Sequence, residues 1–283
     1  MRKILFALLF SAFVSGIVFG EVPETFEKGI DLVNNWKFDE AISVFEKFIK
    51  ENPDSKFKPM AIRQIAGCYF LKKDYTKSME YHNKFILEYP NHPDSVWSKI
   101  GIFRTYMHYL GDAEKAMPYL DEIINKHSNT PAIGEAYLWK GYILRAENEE
   151  YKKSAEILEE FIKKFPDAAE SNRARYYLAD NYLQLKKYKK SIEQYEMVSK
   201  SNNKKEAENA SYYIGCVHYY NLSDLAKAQQ SLEDFVKKYP NSKRVKRANE
   251  IIERCKAKKQ QEKAFKSYDK KMKKEKEVEI DLE

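Results

Sequence analysis

Cysteine is nearly absent. Cys68, Cys216 and Cys255 are too few and too scattered for a disulfide framework. Each falls in a helix-like apolar pattern, where cysteine behaves as a small buried hydrophobe. A Cys216–Cys255 bridge stays open, subject to close and well-directed β-carbons. Histidine is equally sparse: His82, His92, His108, His127 and His218 form neither an H-E-x-x-H pair nor a cysteine–histidine ligand spacing. No G-x-S-x-G elbow is present. Mean hydropathy is −0.70, which excludes a polytopic membrane protein. Glycine and proline number only nine each in 283 residues.

What is present is apolar and aromatic. Hydrophobic residues make up 43% and charged residues 33% of the chain, enough for a substantial core under a charged surface, which excludes wholesale disorder. The length allows one large domain or two small ones. Few chain breakers beside 21 tyrosines and 16 phenylalanines point towards helices.

Residues 1–20 read as a secretory leader rather than as part of the fold. Arg2 and Lys3 precede an apolar run from Ile4 to Phe10, which resumes through Val14 and ends in the small residues Ser15, Gly16 and Gly20. The run is short for a spanning helix, so cleavage is expected after Gly20, with Gly16 the alternative. No cysteine follows it, so the expected mature chain is exported and not lipid-attached.

Charge of one sign is also scarce. The formal +7 falls to +5 without Arg2 and Lys3, and Lys256–Glu283 carries +3 of that, leaving residues 21–255 at about +2. A body this near neutral is a poor polyanion binder, so no nucleic-acid partner is expected.

Self-comparison organises the rest. Six segments align: Phe38–Pro53, Tyr75–Pro90, Ala113–Ser128, Tyr151–Pro166, Tyr188–Asn203 and Leu225–Pro240. A small residue recurs at Ala41, Ser78, Ala116, Ser154, Ser191 and Ala228, at intervals of 37 or 38. Four residues later stand Phe45, His82, Leu120, Leu158, Tyr195 and Leu232. Three further on come Phe48, Phe85, Ile123, Phe161, Val198 and Phe235. Spacing of four then three is one face of a helix. His82 stands where other copies place Phe or Leu, so it reads as a packed side chain. Proline closes four of the six copies.

A second helical pattern precedes each copy and carries a small residue near its middle: Gly29, Ala66-Gly67, Gly101, Gly141, Ala179 and Gly215. Glycine weakens a helix, so its recurrence requires a close helix partner. With these and the leader glycines accounted for, nothing remains for a phosphate-cradling loop. The pairs Glu149-Glu150 and Glu159-Glu160 fall on charged helix faces and read as solvated rather than as catalytic acids. No catalytic residue, cofactor or metal is implied, and the chain does not read as an enzyme.

This pattern resembles the tetratricopeptide repeat (TPR) over about residues 22–246. The resemblance implies an all-α, right-handed superhelical solenoid of about six helix pairs, spanning residues 21–255 and closed by a capping helix at Arg247–Cys255. The 37–38-residue unit and endings such as Tyr239-Pro240-Asn241-Ser242 are similar to TPR proteins of the bacterial cell envelope. Two of these are the lipoprotein subunit of the outer-membrane β-barrel assembly machine and the periplasmic coordinator associated with the Tol–Pal system. The lipid-bearing cysteine of the first and the N-terminal coiled coil of the second are not matched here.

In this family the first helix of each pair lines a concave wall that binds protein segments. The resemblance places Arg63, Phe70, Thr105, Tyr109, Trp139, Arg173, Tyr176, Asp180, Gln184, Tyr213 and Tyr220 on it. Tyr, Trp and Arg are frequent binding anchors. A chaperone-type grip on a C-terminal carboxylate is not supported, because Phe26 and Ile30 stand where Lys and Asn would be needed. The expectation is a periplasmic or envelope adaptor for other proteins or peptide segments, without covalent chemistry. The alternative is a membrane- or cell-wall-associated structural protein held by the lysine-rich tail, residues 256–283. In that tail Ala264, Phe265, Tyr268 and Met272 share a helical stripe, and a solvated helical extension is the plain reading.

Overall fold

The computed structural model describes residues 22–146 and 149–280, with side chains to residue 270. The leader expected at residues 1–20 lies outside the described residues. The chain divides into two compact units, Met1–Tyr119 and Leu120–Glu283.

The first unit holds α1 (Glu24–Asn34), α2 (Phe38–Glu51), α3 (Lys58–Leu71), α4 (Tyr75–Glu88), α5 (Ser95–Thr105), a π-helical turn (Tyr106–Leu110) and the start of α6 (Ala113–Lys126). The second holds the rest of α6, then α7 (Ile133–Ala146), α8 (Tyr151–Lys164), α9 (Ser171–Gln184), α10 (Tyr188–Ser199), α11 (Lys204–Tyr220), α12 (Leu225–Lys238) and α13 (Val245–Ile280). No strand occurs among the described residues, and no described helix is long and apolar enough to cross a membrane.

The six aligned segments become α2, α4, α6, α8, α10 and α12, each starting at the residue the alignment gives. Their three-residue stripes are the core. Ala41, Phe45 and Phe48 are buried, as are their counterparts down to Ala228, Leu232 and Phe235. Asp74, Asp112 and Asp224 each accept the backbone N–H three residues on, capping α4, α6 and α12.

Each first helix ends in one left-handed residue: Trp36, Lys73, Gly111, Glu149, Lys186 and Ser223. Their spacing repeats the 37–38-residue period. The following N–H reaches back to a carbonyl of the last turn, as Lys37 does to Leu32 and Lys187 to Tyr182. This closing bond satisfies an orphan carbonyl and reverses the chain. Only Gly111 meets the left-handed requirement without a β-carbon.

Gly29, Gly141 and Gly215 have the close partners expected of them. A β-carbon at Gly29 would stand 2.5 Å from Phe45, at Gly141 2.9 Å from Leu158, and at Gly215 2.5 Å from Leu232. Each partner belongs to the second helix of the same pair. Gly101 departs from this: its neighbour is His82 Nε2 at 2.4 Å, on the second helix of the preceding pair. The reason is register. Gly101 precedes Ala116 by 15 residues, whereas Ala66 precedes Ser78 by 12, so Gly101 faces a different side. The π-helical turn absorbs the extra length before Gly111.

In the capping helix Ala248, Ile251, Ile252 and Cys255 are buried, and α13 continues from it without a break to Ile280.

Candidate functional site

In the second unit each first helix packs on the next: α7 on α9, α9 on α11 and α11 on α13. One wall is therefore built from first helices. Trp139, Tyr176 and Tyr213 recur on it at intervals of 37. The Tyr176 ring meets Tyr213 edge-on at 6.0 Å and Tyr195 at 5.5 Å, while Tyr195 and Tyr213 stack at 5.7 Å and 18°. Tyr195 comes from α10 and is fully buried, so it backs the two wall tyrosines.

A charged pair joins this cluster. Asp180 accepts from Arg145 Nη1 at 2.9 Å and from the Tyr195 hydroxyl. Burial, and next the Asp180 charge, hold the Tyr195 phenol far above its ordinary range. Burial and the neighbouring Tyr213 and Asp180 raise Tyr176 too. Both remain neutral hydroxyls at physiological pH. Arg145 also lies over the Tyr177 ring at 5.5 Å.

Arg244, just before α13, covers Tyr212 at 5.6 Å and Tyr213 at 5.8 Å, a cation–π arrangement. At the end of α11, Tyr220 is 53% exposed and accepts from Arg247 Nη2 at 3.2 Å. Arg173 and Gln184 are exposed on α9, and Trp139 meets Tyr142 edge-on at 5.6 Å.

The first unit has a smaller aromatic group. Phe70 of α3 meets Tyr109 of the π-helical turn at 5.1 Å, and Tyr109 lies 4.4 Å from Tyr75. Tyr109 is half exposed. Arg63 pairs with Asp94 at 3.5 Å, and burial lowers its pKa more than Asp94 raises it.

Thr105 does not belong on a binding wall. It is fully buried and donates to the Gly101 carbonyl at 2.9 Å. It lies four residues after Gly101 and so on the same packed side of α5, which is why it faces inward. Glu159 and Glu160 are not merely solvated either: they accept the hydroxyls of Tyr182 and Tyr137, fastening second helix to first.

Arg145, Tyr177, Tyr212 and Arg244 join the cluster although the repeat pattern does not single them out. Arg244 falls in the connection before α13, where the helical period carries no signal. The repeated Tyr pairs at 176–177 and 212–213 could have pointed to Tyr177 and Tyr212.

Family models of the tetratricopeptide repeat match residues 35–55, 143–203 and 209–242. No curated protein sequence matches the chain. Among solved structures, the TPR-sensor ATPase of the STAND class from Pyrococcus horikoshii is 20% identical at a TM-score of 0.58, over 83% of this chain and 38% of that one. YrrB, a TPR protein with an unusual peptide-binding site, is 14% identical at 0.52, covering 73% of this chain and 97% of its own. PilF of Pseudomonas aeruginosa is 13% identical at 0.51, covering 79% and 94%. At these identities it is the fold that is shared. Paired helices in the repeat's own register, with small residues at the crossings, agree with the matched models: the chain carries tetratricopeptide repeats over the matched residues and has the all-α paired-helix fold of such proteins.

Proposed function

We propose that this protein is a non-enzymatic adaptor of the cell envelope that holds a partner segment against the first-helix wall of its second unit. The observation that carries the reading is the Trp139, Tyr176 and Tyr213 register. Tyr176 and Tyr213, backed by buried Tyr195, with Arg244 over the Tyr213 ring and Arg145 over the neighbouring Tyr177, offer rigid apolar area with directed polar edges. Such a wall suits extended or helical protein segments. Exposed Arg173 and Gln184 stand at the two ends of α9, where a bound segment would pass. The leader-like residues 2–20 support export, and the repeat unit's resemblance to envelope TPR proteins supports a place in envelope assembly.

The test is photo-crosslinking from a probe residue at position 184 in cells, against the same probe in an Arg173→Ala/Trp139→Ala background. The reading expects one defined envelope protein, lost from that background while helicity is unchanged. A partner that persists undiminished sinks the wall. Recovery of the full-length chain, leader included, in the cytoplasm sinks the location.

A further inference from the structure

Helix α13 changes character part-way along. Residues 248, 252 and 255 lie four and three apart on one stripe, and Ala248, Ile252 and Cys255 are buried there. The same stripe continues at 259, 263, 266 and 270, and every one of those positions is lysine. Lys259 still reaches the body, donating to Gln229 Oε1 at 2.8 Å, and the Lys258 ammonium lies 5.2 Å from the centre of the Tyr219 ring. From residue 260 to residue 270 every residue is exposed. A side that begins in the core ends as a row of ammonium groups, which disfavours stacking a further helix pair there.

The apolar groups of this projecting part lie on the other side. Ala257, Ala264 and Tyr268 share a stripe roughly half a helical turn away from the lysines, with Phe265 beside it. Phe265 is 71% and Tyr268 63% exposed. Between Lys256 and Lys270, six lysines face only Glu262 and Asp269, a net charge of +4. An aromatic side opposite a lysine side is the pattern of a helix lying in a headgroup layer. Phenylalanine enters the acyl boundary, the tyrosine ring sits at that boundary with its hydroxyl outward, and flexible lysine stems reach anionic phosphates. An acidic polypeptide would satisfy the lysines but leave Phe265 in water. Pairing with a second copy lacks the sustained apolar heptads a coiled coil needs.

We propose that residues 257–270 form an interfacial helix that docks this protein on an anionic lipid bilayer through Phe265, Tyr268 and the flanking lysines. The contact is reversible and salt-sensitive, because two aromatic anchors and a few lysines make a single weak attachment. It is independent of the wall on the first helices, which keeps its partner whether or not the helix is docked.

The experiment is co-sedimentation of the full chain with vesicles of phosphatidylcholine alone or mixed with phosphatidylglycerol. The expected result is binding to the mixed vesicles only, weakening as salt is raised. Phe265→Ser/Tyr268→Ser is expected to reduce it about tenfold. Lys263→Gln/Lys266→Gln/Lys270→Gln is expected to remove the preference for anionic lipid. All five positions are exposed, and unchanged circular dichroism confirms that the fold is kept. Failure to bind anionic vesicles, equal binding to both compositions, or binding indifferent to Phe265→Ser/Tyr268→Ser overturns the proposal. Preferential capture of soluble polyglutamate over vesicles overturns it in favour of an acidic protein partner.

Discussion

The ring of Phe45 fills the space in which a side chain on Gly29 would begin, its Cε1 2.5 Å from the β-carbon position. Gly67, near the middle of the next first helix, has nothing within 4 Å of that position. The same substitution should therefore act oppositely at the two sites. Gly29→Ala must displace a fully buried ring and is expected to destabilise by about 2 kcal/mol or more. Gly67→Ala gains helix propensity and is expected to stabilise by roughly 0.5–1 kcal/mol. Urea unfolding of both variants checks this; equal effects would mean that the helix crossing is not what excludes the side chain.

The left-handed turn residues make a second contrast. Lys186 adopts φ 56° with a β-carbon, whereas Gly111 adopts φ 65° without one. Lys186→Gly is expected to raise stability by about 0.5–1 kcal/mol, and Gly111→Ala to lower it by about 1 kcal/mol. Thermal unfolding midpoints should move in opposite directions.

Acid should loosen the first unit through His82. Burial, with a smaller push from Arg63, brings its pKa down from 6.5 to about 4. Its Nδ1 has no hydrogen-bond partner among the described residues. The folded chain thus holds a neutral imidazole that the unfolded chain protonates below about pH 6.5. Stability from this group is complete above pH 6.5 and is lost as pH falls towards 4, by on the order of 3 kcal/mol at most. His82→Phe, which restores the side chain of other copies, should flatten that pH dependence when unfolding is measured between pH 7 and pH 4.5. A slope as steep as that of the unaltered chain would assign the acid sensitivity elsewhere.

Asp180 is committed to the fold. It receives both Arg145 and Tyr195, and its side chain is only 28% exposed. Asp180→Asn is expected to cost about 2 kcal/mol by leaving Arg145 without its carboxylate. Tyr195→Phe, which removes one hydroxyl, is expected to cost about 1 kcal/mol. Arg173→Ala, on an exposed side chain, should leave stability within about 0.5 kcal/mol. Asp180→Asn unfolding at the midpoint of the unaltered chain would mean that the pair contributes nothing.

The starts of the second helices were legible to the residue because their stripes combine two independent signals, a helical spacing and a 37–38-residue period. The first helices were less so. Gly101 matches the small residue by type but stands about a turn early, and that shift carries Thr105 into the packed seam. The π-helical turn that compensates leaves no distinctive spacing. Of the candidate wall, Tyr176 and Tyr213 meet as neighbours, and Asp180 reaches Tyr176 through Tyr195. Arg145 and Arg244 enter the same cluster from other segments, which no period within one repeat can announce.

Sequence alone determined the repeat, its length, the helix starts and the buried stripe, because all of these depend on contacts within about 40 residues and recur six times. Tertiary structure decided which tyrosines meet, which acid is consumed by an arginine, and which side of α13 is left bare. Those depend on how one helix pair turns against the next. That rotation is set by side-chain volumes at the crossings, by a glycine admitting Phe45 within one pair and another admitting His82 between two pairs, rather than by the pattern of any single segment.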